Sequence, residues 1–122
     1  MTMKPTILKQ DLSTEFSTPE RCYIIETANA TNDRLSIARA RVEPGITTKL
    51  HSVEGTEERY IIAEGKGRVE IGEMAPEDVG PGDVVLIPAG IPQRITNIGD
   101  VALIFYCVCT PPFQQSAYRQ LE

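Results

Sequence analysis

His51 is the only histidine in 122 residues, so any imidazole chemistry in this chain passes through one side chain. Multi-histidine sites are excluded. A Ser/His or Cys/His dyad would have to recruit His51, and there is no nucleophile-elbow motif, no phosphate-cradling or dinucleotide glycine loop and no zinc-finger spacing. Further along the chain Glu57 and Glu58 are adjacent, so in a strand only one of them can point inward. Tyr60 and Ile62 share the side of Glu58, and Lys49, His51 and Val53 share a side of their own strand. The turn at Gly55 breaks any parity argument between His51 and Glu58.

The elements that must position these residues are short β-rich segments between Gly and Pro turns, the pattern of an antiparallel sandwich or barrel. Segments 23–25, 35–42, 50–53, 58–62, 68–71, 84–87, 93–96 and 101–110 read as strands. Glu64-Gly-Lys-Gly67 is a hairpin turn, because glycine tolerates positive φ. Val84 to Ile87 is apolar at consecutive positions and reads as a strand buried on both sides. Residues 72–79 read as an exposed loop. Pro111 and Pro112 end the sheet, the tail 111–122 reads as a short C-terminal helix or an arm, and residues 1–20 as an N-terminal arm. One domain spans 1–122.

Twelve Lys and Arg against seventeen Asp and Glu give a net charge of -5. With the basic residues scattered, no patch can neutralise phosphates, and nucleic acid is not an expected partner. Cys22, Cys107 and Cys109 are an odd number at spacing unsuited to a disulfide framework, which fits reduced thiols in the cytoplasm. The first residues lack the apolar run of a signal peptide. The longest apolar stretch, Val101 to Cys109, falls well short of the roughly 20 residues a membrane helix needs, so no membrane contact is expected.

Gly45, five residues, His51, Val53, Glu58, six residues and Gly65 form one block; Gly82, five residues, Pro88, Gly90, Gln93 and Asn97 form another. In this order the two blocks, 45–65 and 82–97, resemble the paired motifs of the cupins. The resemblance implies an all-β, single-domain double-stranded β-helix, or jelly-roll barrel, pairing as a homodimer. It also implies a metal site in the barrel interior, where the family places three histidines and a glutamate. By position His51, Glu58 and Gln93 match three of these ligands and Val53 replaces the fourth. Glu58 is preferred to Glu57 for its distance to Gly65 and for the lining that Tyr60 and Ile62 supply.

One imidazole, one carboxylate and one amide carbonyl can bind a divalent ion, with Mn, Fe, Ni and Zn all compatible with the set. The first expectation is therefore a metal-dependent enzyme of dioxygenase, decarboxylase or isomerase type, acting on a small oxygen-rich or carboxylate-bearing molecule, with Tyr60 or Arg94 orienting it. The alternative is a binding module that takes a sugar or organic acid without metal or turnover. A metal-free isomerase or epimerase is a third reading, and it needs a histidine–acid dyad. Cys107 and Cys109 share a face of the last strand, either as small core residues or as thiols reaching the interior. Arg39 and Arg41 share a face that reads as solvated, or as a grip for an anion.

Overall fold

β-branched and aromatic residues alternate with polar ones along most of the chain, and a pleated strand turns that alternation into two faces. In the computed structural model, which describes residues 4–28 and 34–122, the strands are β1 (Phe16–Ser17), β2 (Tyr23–Glu26), β3 (Ser36–Val42), β4 (His51–Val53), β5 (Glu57–Glu64) and β6 (Gly67–Ile71). They continue as β7 (Glu77–Val79), β8 (Val84–Ile87), β9 (Gln93–Asn97), β10 (Leu103–Thr110) and β11 (Tyr118–Gln120). One sheet runs β1-β2-β3-β10-β5-β8 and the other β11-β4-β9-β6-β7. Every pairing is antiparallel.

The two sheets face each other over a core that includes Val42, Ile62, Ile95, Leu103 and Phe105, all buried. Removing each such side chain from water contributes roughly 1.5–3 kcal/mol. On β5 the alternation is complete over six residues: Glu58, Tyr60 and Ile62 point in, Glu57, Arg59 and Ile61 point out. Gly65, between β5 and β6, has φ +83°, and a Cβ there would lie 2.8 Å from the carbonyl oxygen of Ala102. No other residue fits that turn. Asn97 of the second sequence block is a staple, its amide donating to the carbonyls of Val42 (2.9 Å) and Val101 (2.8 Å).

Three expectations from sequence are revised. Only Val85 and Ile87 of β8 are buried, while Val84 and Leu86 are 53% and 62% exposed. The strand lies at the edge of its sheet, with nothing among the described residues over its outer face. The segment read as a loop contains β7, which pairs with β6. The tail forms a single 3-10 turn, Gln115–Ala117, and then β11, rather than a helix. A helix so short gains little from its own hydrogen bonds, whereas β4 offers a free edge that β11 fills, placing Gln120 opposite His51 and Tyr118 opposite Val53.

The amino-terminal arm is also tied down over its described residues. A 3-10 turn, Leu12–Thr14, is capped by Asp11, whose side chain accepts from the backbone N–H of Ser13 at 3.0 Å. Glu15 then accepts from Arg39 and Arg41, so the two arginines on the outer face of β3 hold a carboxylate of the chain itself. None of the described helices is long and apolar enough to cross a membrane.

Candidate functional site

At one end of the barrel the apolar core gives way to a cavity of about 270 Å³ whose lining includes His51, Val53, Glu58, Cys107 and Cys109 from the strands. The arm before β2 adds Glu20 and Cys22, and the tail adds Phe113 and Tyr118. Both ends of the chain therefore complete the cavity wall. Arg21 makes the turn between Glu20 and Cys22 with a left-handed backbone, φ 72°, which costs a residue with a Cβ about 1–2 kcal/mol. Its guanidinium anchors the turn, donating to the carbonyl of Thr47 and to Glu122, each at 3.1 Å.

His51 is 5% exposed. Its Nδ1 lies 2.8 Å from the carbonyl oxygen of Lys49, and because a carbonyl only accepts, Nδ1 carries the hydrogen there. Nε2 is then left with no protein hydrogen-bond partner among the described residues. The ring stacks on Tyr118, with centroids 5.0 Å apart and planes 20° apart, and Oε1 of Glu20 lies 3.8 Å from Nδ1. Burial raises the Glu20 carboxyl above the usual carboxylate range, the hydroxyl of Tyr118 opposing it.

Gln93 stands directly across from His51 on the neighbouring strand β9. Its amide nitrogen donates to Oε1 of Glu58 at 2.9 Å, and its carbonyl oxygen accepts from the hydroxyl of Tyr60. Gln93 is not among the residues that line the cavity. Tyr60, Gln93 and Glu58 thus form a buried hydrogen-bonded chain between the two sheets, with Glu58 at its cavity end. Burial raises the Glu58 carboxyl, the hydrogen bond from Gln93 opposing it.

The ion expected at His51, Glu58 and Gln93 needs the carbonyl oxygen of Gln93 as a donor, and that oxygen is engaged by Tyr60. Beside that already bonded oxygen stand one imidazole and one carboxylate, where the resemblance implies three imidazoles and a carboxylate, and no group of three His, Cys, Asp or Glu among the described residues is arranged to hold a metal ion. The donor set does not fit the metal centre that the resemblance implies.

The two residues expected to orient a substrate lie elsewhere. Tyr60 is buried against Phe105, ring centroids 4.6 Å apart, and its hydroxyl is used by Gln93. It positions Gln93 and does not reach the cavity. Arg94 is on the opposite face of β9 from Gln93, where it donates to Glu70 at 2.9 and 3.0 Å. Consecutive strand residues alternate, so Gln93 inward sends Arg94 out.

Cys107 and Cys109 take the inward reading: both line the cavity, together with Cys22. All three are free. Burial pushes the Cys22 thiol up to about 12 and raises Cys107 and Cys109 as well, with the nearby Glu58 charge adding to both. They are thiols, not nucleophilic thiolates. Glu20 and Tyr118 are the site residues that sequence reasoning missed; they come from irregular terminal segments with no periodicity to mark them.

Residues 38–109 match the family model described as the cupin domain. An uncharacterized protein of Methanocaldococcus jannaschii is 38% identical over 87 residues, covering 71% of this chain and 69% of that protein. Among solved structures, a predicted oxalate decarboxylase from Thermotoga maritima has a TM-score of 0.78 at 23% identity, over 87% of this chain and 99% of the other. The formate complex of Lactobacillus farciminis oxalate decarboxylase has a TM-score of 0.75 at 25% identity, over 93% of this chain and 33% of that one. The barrel topology, the two motif blocks on its strands and these matches together place the chain in the cupin family.

Proposed function

We propose that this cupin binds a small organic molecule in the cavity between its sheets, through His51 and the carboxylates of Glu20 and Glu58 and without a resident transition metal. The observation that carries this reading is the unpartnered Nε2 of a buried His51 at the wall of the cavity. A buried acceptor without a partner costs about 1–3 kcal/mol, which a donor group on a bound molecule recovers. Pockets of this kind, apolar with a few convergent polar groups, are the usual form of a small-molecule site.

A metal-dependent enzyme on this scaffold would have one imidazole, one carboxylate and an amide oxygen already accepting from Tyr60 as its ligands, and the satisfied chain of hydrogen bonds favours the metal-free reading. The three free thiols suit a reducing compartment such as the cytoplasm. The exposed edge at β8 suits pairing with a second copy.

Titrating a panel of small organic fragments into isotope-labelled protein and following backbone amide signals tests the reading. Fragments that shift Cys22, His51, Cys107 and Tyr118 together support it. Fragments that bind only at other surfaces, or nowhere, refute it.

A further inference from the structure

The wall of the cavity is held unevenly. Cys107 and Cys109 come from β10, which is paired on both sides, with β3 and β5. Phe113, Tyr118 and Gln120 come instead from the segment 111–122, in which no residue is buried. Its strand β11 is three residues long and pairs only with β4, at the edge of its sheet. A segment with so little buried apolar surface opens locally at a lower free energy than the core. Its departure would take Tyr118 off the ring of His51 and uncover one side of the cavity.

What fastens the segment is a set of polar ties at Leu121 and Glu122. The Glu122 carboxylate accepts from the backbone N–H of Leu50 at 2.9 Å and from Arg21 at 3.1 Å, and the N–H of Leu121 donates to the carbonyl of Leu50 at 2.9 Å. Arg21 belongs to the turn that brings Glu20 and Cys22 to the same cavity. The two wall segments therefore meet twice, at Arg21 with Glu122 and at the Tyr118 hydroxyl, which is bonded to Glu20.

The turn is the fixed half of this contact. Arg21 keeps its left-handed backbone, and the carbonyl of Glu20 accepts from the N–H of Lys49 at 3.2 Å; a residue with a Cβ persists in that conformation only where its surroundings hold it, as at ligand clamps. The side chains of Arg21 and Glu122 are 48% and 32% exposed, so water competes with their pairing. It is a latch that releases readily.

We infer that the segment 111–122 is a lid on the cavity, latched by Glu122 to Arg21 and Leu50, and that it opens as a local unit to admit the ligand. The purpose of the opening rests on the binding function just proposed; the opening itself does not.

Cys107 and Cys109 report the opening without any ligand, because they line the cavity from a strand that stays in place. N-ethylmaleimide is uncharged, and peptide mass mapping gives the rate at which it modifies each cysteine of the intact protein. Modification through a transiently open state tracks the population of that state. Glu122→Ala removes the latching carboxylate, while Arg21→Gly removes the guanidinium at a position whose backbone suits glycine and leaves Arg94 3.8 Å from the same carboxylate. Expected rates at Cys107 and Cys109 are at least about tenfold faster in Glu122→Ala, with a smaller gain in Arg21→Gly. They stay flat in urea below the unfolding transition, since local opening exposes little surface. Unchanged rates in both variants, or parent thiols that react as fast as a free cysteine, overturn the lid. So does a rate that climbs with urea in step with global unfolding, the behaviour of a variant that is merely less stable. Each of these outcomes leaves the binding function standing, because the fragment titration decides that separately.

Discussion

The side-chain amide of Gln93 donates to Oε1 of Glu58 at 2.9 Å across the barrel interior, joining β9 of one sheet to β5 of the other. Both residues stand where the motif resemblance implies metal ligands, and here they bond to each other. The oxygen of that amide accepts from Tyr60, so the pair behaves as a structural link that presents one carboxylate to the cavity.

Metal binding is accordingly expected to be weak. A ligand present below its dissociation constant adds almost nothing to native-state stability, and addition of Mn, Fe, Ni or Zn salts at micromolar concentration leaves Tm unchanged. Val53→His combined with Gln93→His restores imidazoles at the two divergent positions, and that variant gains stoichiometric metal by elemental analysis. A stoichiometric ion in the unaltered protein that is lost in His51→Ala contradicts this.

Tyr60→Phe deletes the donor to Gln93 and leaves a buried carbonyl oxygen without a partner. The cost is about 1–3 kcal/mol, a fall in Tm of roughly 5 °C or more for a chain of this size. A variant as stable as the parent in urea and heat denaturation shows that Gln93 has turned its oxygen elsewhere.

Glu15 ties the amino-terminal arm to β3 through Arg39 and Arg41, and the bond from Arg41 holds its carboxyl below the usual range. A folded-state pKa below the unfolded one contributes stability above the unfolded value, near 4.5, and loses it as pH falls through the folded value. Glu15 is 18% exposed, so the contribution is discounted for solvent to about 1 kcal/mol. Urea melts from neutral pH downward should show Glu15→Gln less stable than the parent at pH 7, the gap closing in acid. A gap that does not depend on pH removes the ion pair as its cause.

Val84 and Leu86 on the outer face of edge strand β8, with Ile61 of β5 in register with Val84, form an apolar strip that a second copy can cover. Light scattering at micromolar concentration is expected to give the mass of a dimer for the parent and of a monomer for Leu86→Lys. A monomeric parent overturns the pairing.

The barrel was legible in sequence because its signals are local. Gly45, Gly65, Gly82 and Gly90 sit at turns with positive φ, and the alternation through Glu58, Tyr60 and Ile62 set the inner face of β5. Arg94 was misplaced although strand parity argued against it, since Gln93 and Arg94 cannot both point inward. Glu20 and Tyr118 were not legible: each reaches His51 through chain-terminal segments whose placement depends on long-range pairing of β11 with β4 and on the turn at Arg21. Nor does the sequence reveal that Gln93 turns both ends of its amide toward Tyr60 and Glu58, because that outcome follows from packing between sheets.

The account depends most on His51 offering a bare Nε2 to the cavity. As the only histidine, it gives one imidazole spin system, and long-range nitrogen–proton correlation spectra of labelled protein read its tautomer directly. The prediction is hydrogen on Nδ1, an unprotonated Nε2, and a change in the Nε2 shift when a fragment that binds the cavity is added. Hydrogen on Nε2 in the free protein, or an Nε2 signal indifferent to every ligand that binds, contradicts it.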